Sequence, residues 1–527
     1  MNKFTKLIAL ALAVLTMVSL LVACGPDDKE DTTTTTSAVT TLKDDISTKP
    51  GETTTTKKGN NKKPNNKKPN KNSIEDEVVP PGYSTHGALI SRTTNRAGAA
   101  SDKFVKSLKG FTLKILYPWE NIYGDSKCEK YAKNSIESVE KEYNVKIVEE
   151  GQFNRYNENL ASELSARKCD YHVYFAQGGF FPSYFEKGYV ADLRPAMVET
   201  GVDFNDPWYI SDAKGFLNID GKQYGWIPYE DEYTMAHCII YNKKLLAKKR
   251  LADPAKLAKQ GKWTWAVMEK YAKSFKDDKT VDGFISVNHL NILANIADQY
   301  GTSLTKVSRG AQPTTNIGDS KVKSALTTLG EWTTGKQKWC ETYTDKTWTY
   351  GKTQFQEGKA AMLFGSHDAI QGLRGTSIQK DIGVAPFPTI KGTKNYTGIS
   401  EASFIAFIPN VWQKEASKIL FVRNEYYRYN YRFVDRCFQY KWEAYLGKNK
   451  EAITNAANIK FAKNGNKIKF CWTSVCEPEG AGVSTNSIIR DVITGKSSAA
   501  TAIASKKKAL TNTYADVWSG HRTTGNV

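Results

Sequence analysis

The chain has 527 residues, a formal net charge of +19 and a pI near 9.2, with 40% hydrophobic and 24% charged residues. That length leaves room for two or more domains and a sizeable core, and the average composition is globular. A basic balance also describes nucleic-acid binders, but solvated lysine faces are the commoner cause, and the order of segments points outside the cell instead.

Met1 to Cys24 carries Lys3 and Lys6 ahead of an apolar run from Leu7 to Ala23, the pattern of a signal peptide. No later stretch is long and apolar enough to span a membrane. Residues 25–103 contain Thr32–Thr36, Thr53–Thr56 and Lys62-Lys63-Pro64-Asn65-Asn66-Lys67-Lys68-Pro69, a polar low-complexity segment that cannot bury a core. It reads as a disordered tether, looser in its Thr-rich half and stiffer in its Lys/Asn/Pro half. Leu21-Val22-Ala23-Cys24, placed where the apolar run stops, resembles the lipobox of bacterial lipoproteins. That resemblance implies acylation of Cys24 and a lipid anchor on the outer face of the membrane.

The remaining chain, 104–527, reads as alternating strands and helices, hence an α/β fold with a mostly parallel sheet. Phe111–Tyr117 is a strand that stops at Pro118-Trp119-Glu120, and 127–143 has helical spacing. A strand at 145–148, a helix at 156–166 and a strand at 170–176 follow, the last running into Gln177-Gly178-Gly179-Phe180. Asp220-Gly221 between apolar residues signals a hairpin, and Trp263-Thr264-Trp265 opens a helix with Thr264 as N-cap. In Glu357-Gly358-Lys359 the glycine is placed for positive φ, feeding the buried strand Ala360–Phe364. The strands 381–388 and 404–408, a helix from Lys414 and a late helix ending near Gly495 complete the order.

Of eight cysteines, setting Cys24 aside leaves seven, an odd number that reads as reduced and mostly buried thiols. Cys471 and Cys476 are the only close pair, with no histidine near, so no metal site and no cofactor is expected.

Together these pieces resemble the family 1 extracellular solute-binding proteins of ABC importers, the maltose-binding-protein-like group. The motifs recur in order: Tyr-Gly after Asp-Gly-Lys, Tyr241-Asn242-Lys243, Trp263-Thr264-Trp265, Phe355-x-x-Gly-Lys-Ala-Ala-Met362, Gly383-Val-Ala-Pro-x-Pro388 and Thr494-Gly495-Lys496. The resemblance implies a two-lobed, periplasmic-binding-protein-like (type II) fold with hinge segments and a central ligand cleft. Lobe 1 is expected at about 104–229 and 387–425, and lobe 2 at about 230–386 and 426–527. The crossings are then placed near Tyr229–Tyr233 and Val384–Pro388, with Pro386 and Pro388 limiting how the second bends. It further implies a non-enzymatic, monomeric receptor that binds a mono- or oligosaccharide, contacts permease subunits and takes no nucleic acid.

Sugars ask for aromatic faces against their C–H surfaces and planar polar groups for their hydroxyls, since a buried unpaired hydroxyl costs about 1–3 kcal/mol. Candidate ligand-binding residues are Trp119, Glu120, Gln177, Phe180, Glu230, Asp231, His289, Asp368 and Glu401, with Asn288 and Ser403 beside them. Where the family shows Gly-Gly-Pro-Trp after the Ala-Ala-Met strand, this chain has Gly365-Ser366-His367-Asp368, so stacking falls to Trp119, Trp226 or Trp348. The acidic candidates favour a neutral or cationic ligand over an anionic one. The aromatic-basic run Tyr426–Phe433 reads as a helix packed over the second lobe. Alternatives are a surface glycoside hydrolase, whose retaining form needs carboxyls about 5–5.5 Å apart, and a polysaccharide-binding adhesin.

Overall fold

The computed structural model describes residues 100–519 apart from 121, 230–233, 309, 348 and 402–403. Cys24, nearly all of the tether, Glu230, Asp231, Trp348 and Ser403 therefore lie outside the described residues.

The first sheet is built from βαβ units. Strand β1 (Thr112–Tyr117) leads into helix α1 (Ser126–Tyr143), whose N-cap Asp125 accepts from Lys127 N–H. Strand β2 (Lys146–Gly151) then pairs parallel with β1, Thr112 opposite Lys146 through Tyr117 opposite Gly151. Helix α2 (Tyr156–Ala166) precedes β3 (Tyr174–Gln177), and Val173 bridges in parallel to Ile115.

The second sheet begins with β4 (Cys238–Asn242). Helix α3 (Trp265–Lys273), strand β5 (Ile285–Ser286) and helix α4 (His289–Gln299) come next, then β6 (Met362–Gly365) and β7 (Ile382–Pro386). The strand order is β7-β4-β6-β5, with β6 parallel to β5 and β4 antiparallel to both neighbours. All four residues of β6 are buried, as a strand covered on both faces requires, and Gly358 before it has φ +74°.

Strand β8 (Tyr396–Glu401) stands apart from both sheets and pairs with β10 (Asn466–Cys471), which comes after β9 (Phe404–Phe407), α5 (Ala416–Asn430) and α6 (Val434–Leu446). Strand β9 pairs antiparallel with β3, Phe404 opposite Gln177, and Trp226 bridges to Ala406. Each sheet therefore holds one antiparallel strand, β4 or β9, and each is the strand by which the chain enters from the other half. Helices α7 (Thr485–Ile493) and α8 (Ala499–Ser519) close the chain, with Gly495 at φ +72° just past the α7 C-cap.

Two expectations need correcting. Val384–Pro386 is not a crossing: Val384 pairs with Ile240 and Pro386 with Cys238 inside the second sheet, and β8 after it packs on α4 of that half and accepts from His237 N–H at Ile399, so the return to the first sheet comes between Glu401 and Phe404. The Pro386 and Pro388 carbonyls instead accept from the Trp263 and Trp265 indoles at 2.9 and 3.0 Å. The Tyr426–Phe433 run belongs to α5 and the short turn Tyr431–Phe433 after it, and α5 packs on α1, the helix Arg194–Thr200 and β1, all in the first half. A lobe boundary at 425/426 would cut through this helix. The seven described cysteines are free thiols, and six of them are buried.

Candidate functional site

In open α/β sheets ligands gather at the carboxyl ends of parallel strands. At the end of β1, Tyr117 OH donates to Glu149 at 2.7 Å and accepts from Arg423 Nη2 at 2.7 Å. Arg423 is fully buried, lies 3.5 Å from Glu149 Oε1 and stacks 4.0 Å from the Tyr427 ring centroid. This brace fixes the strand end that carries Trp119. The indole meets Phe404 edge-on at 5.1 Å and lies beside Tyr117 and Phe175 at 5.6 and 6.1 Å. Gly151 makes the loop possible, since a Cβ there would sit 2.2 Å from the Trp119 carbonyl. Trp119, Tyr117, Phe175, Pro228 and Phe404 wall an open pocket, and Asn430 and Lys441 are among its polar lining residues.

The other candidates on this rim differ. Glu120 is exposed. Gln177 is exposed and accepts from Asn157 Nδ2 at 3.2 Å. Phe180 is half-buried and packs on the core beside Tyr184, a capping position rather than an open stacking face. Trp226 is buried and donates to Tyr427 OH at 3.1 Å, so it serves the core and cannot stack on a ligand.

On the second sheet, polar residues follow the ends of β5 and β6. After β6, His367 is fully buried and turns its ring edge toward Phe438 and Tyr445 of α6. Asp368 pairs with Lys352 at 2.9 Å and accepts from Ser366 Oγ at 3.0 Å. Burial alone raises the Asp368 pKa, but the Lys352 charge and hydrogen bond outweigh it and hold the carboxyl below its ordinary value. Beyond β5, Asn288 caps α4: its Oδ1 accepts from Asn291 N–H at 3.0 Å. Its Nδ2 donates to Glu401 Oε2 at 3.2 Å and faces His237 Nε2 at 3.4 Å. Asn291 Nδ2 donates to the same Glu401 oxygen at 2.7 Å.

His237 immediately precedes β4, is buried, and stacks on Phe364 at 5.1 Å. Burial lowers its pKa, and the Glu401 and Asp368 charges only partly oppose this. His289 is half-buried, with Nε2 against the Thr342 carbonyl at 3.2 Å; burial lowers its pKa too, and it ties α4 to the 342 loop. The structure thus brings together Asp368 and Glu401 around His237, and places Trp119 beside Phe404, three residues after Glu401. His237, Asn291 and Lys352 were missed from the sequence; the Asn288-x-x-Asn291 spacing at a helix start after a strand was the available signal for one of them.

The family profile described as bacterial extracellular solute-binding protein matches residues 128–418. An ABC substrate-binding protein from Listeria monocytogenes, solved with cycloalternan, is 19% identical, with a TM-score of 0.53 over 77% of this chain and 99% of that one. The GacH receptor of Streptomyces glaucescens, solved unliganded and with acarbose, is 17% identical at TM-score 0.52, covering 78% of this chain and 99% of that one. The sugar-binding protein MalE of Xanthomonas citri is 14% identical at TM-score 0.53, covering 79% of this chain and 100% of that one. At such identities the likeness is one of fold, the two-lobed type II architecture. No curated protein sequence matches the chain.

Proposed function

The chain belongs to the bacterial extracellular solute-binding proteins, a family of binding proteins and not of enzymes, and we propose that its solute is a mono- or oligosaccharide passed to the permease subunits of an ABC transporter. One observation carries this reading: Phe404, which walls an aromatic pocket with Trp119, follows Glu401 by three residues, and Glu401 is held by the Asn288 and Asn291 amides. Aromatic edges and faces suit the C–H surface of a pyranose, and carboxylate and amide groups suit its hydroxyls. The sugars named with the structural neighbours support the same class. Trp119, Asp368 and Glu401 are the contacts this reading favours, with Glu120 and Gln177 on the rim at the end of the first sheet and Phe180 and His289 as support; Glu230 and Asp231, outside the described residues, are candidates on their sequence alone.

The passages at 229–234 and 401–404 act as hinges about which the two halves close. Acylation at Cys24 anchors the protein to the outer face of the membrane, and residues 25–103 form the tether from which a monomeric receptor works. No helix among the described residues is long and apolar enough to cross a membrane. Titration calorimetry of the protein against maltotetraose, xylobiose and diacetylchitobiose tests the reading. Heat of binding from one of them is the expected result; silence throughout, with binding of peptides or polyamines instead, overturns the substrate class.

A further inference from the structure

Glu401 differs from the other carboxylate of the cluster. Asp368 has the Lys352 ammonium at 2.9 Å, whereas the hydrogen-bond partners of the Glu401 carboxylate among the described residues are two neutral amides, both on Oε2. The orientation of the Asn288 amide is settled by its cap: Oδ1 accepts from Asn291 N–H, so Nδ2 is the end that faces Glu401 and His237. His237 Nε2, facing a donor amide, is then the acceptor of a neutral imidazole, whose Nδ1 is buried with no hydrogen-bond partner among the described residues. It lends Glu401 no positive charge.

Asn291 bears the same mark. The residue is fully buried, and its Oδ1 has no hydrogen-bond partner while Nδ2 stays on Glu401. Leaving a buried carbonyl unpaired is unfavourable, and such a group in a folded protein calls for a reason. Holding Glu401 is that reason.

We propose that Asn288 and Asn291 are specificity-determining positioning residues, which clamp Glu401 by one oxygen and leave Oε1 to accept from neutral hydroxyls of the bound sugar. This rests on the carbohydrate reading above. An ammonium is the other donor chemistry that one carboxylate oxygen can take, and the cationic probe below separates the two.

The test is a double-mutant cycle read by calorimetry with maltotetraose, xylobiose and diacetylchitobiose, and with the free-amine glucosamine dimer as cationic probe. Asn288→Ser keeps a capping side chain and removes the amide; Asn291→Leu removes the other donor at similar volume. Glu401→Gln is expected to weaken sugar binding tenfold or more. Each Asn variant is expected to weaken it several-fold to tenfold alone, and less than twofold in the Glu401→Gln background. Equal losses of affinity in both backgrounds, or none, overturn the proposal and leave the carbohydrate reading standing. Tighter binding of the glucosamine dimer than of any neutral sugar overturns it as well. Failure of the unmutated protein to bind any of these sugars overturns both readings. Should Asn291→Leu not fold, Asn288→Ser decides alone.

Discussion

The indole N–H of Trp263 donates to the carbonyl of Pro386 at 2.9 Å, and two residues on, Trp265 donates to Pro388 at 3.0 Å. The tryptophan pair at the start of α3 and the proline pair at the end of β7 thus form one joint, closed by Trp265 N–H on the Thr389 carbonyl at 3.0 Å. Proline carbonyls remain good acceptors although proline nitrogens donate nothing. Trp265→Phe keeps an aromatic ring and removes one donor, so a loss of roughly 1–2 kcal/mol is expected. Trp263→Phe also leaves space in a fully buried site and should lose roughly 2–4 kcal/mol. Urea unfolding checks both as a shift in midpoint at unchanged slope.

Removing one partner of the buried Arg423–Glu149 pair strands the other charge. Arg423→Met is expected to destabilise by roughly 3–5 kcal/mol, and combining it with Glu149→Gln should recover part of that loss. A double-mutant cycle by chemical denaturation measures the coupling.

Glu477 is buried, accepts from Thr485 N–H at 2.8 Å and Thr485 Oγ1 at 2.6 Å, and is pushed up to about 7 by burial, which those hydrogen bonds only partly offset. Its folded pKa exceeds its unfolded one, so its contribution to stability is full below about pH 4.3 and is lost as pH rises toward 7. Glu477→Gln should therefore be more stable than the unmutated protein at pH 8, by roughly 2–4 kcal/mol at most, and indistinguishable near pH 4. Thermal melts across that window decide it.

Trp119→Ala should leave melting nearly unchanged, because the indole is half-buried and borders an open pocket, yet weaken sugar binding by roughly 1–2 kcal/mol, about tenfold. Calorimetry with whichever sugar binds reads the effect. A large drop in melting temperature with unchanged affinity would assign the indole to the core instead.

Local patterns were legible in the sequence where one segment decides its own structure. Helix α2 spans the 156–166 expected from its spacing, and Thr264 caps α3 by accepting from Val267 N–H. The return passage was not legible, because the apolar stretch 382–386 looks the same whether it stays in a sheet or leaves it; its pairing with 238–242 is fixed by distant residues. The site divides likewise. Asp368 stood out as a polar residue after a buried strand, but Lys352 approaches from an earlier helix, and Asn291 reaches Glu401 across 110 positions of sequence. Trp226 looked like a stacking residue only until its burial against Tyr427 was visible.

Glu401 ends a strand of one half and Phe404 begins a strand of the other. Three residue steps of extended chain reach at most about 11 Å. The backbone is therefore a short leash: however far the halves swing apart, the backbone at the acid and at the aromatic wall stays within the length of a disaccharide. On the carbohydrate reading proposed above, a ligand held at either of the two already has the other within reach, whatever the angle between the halves.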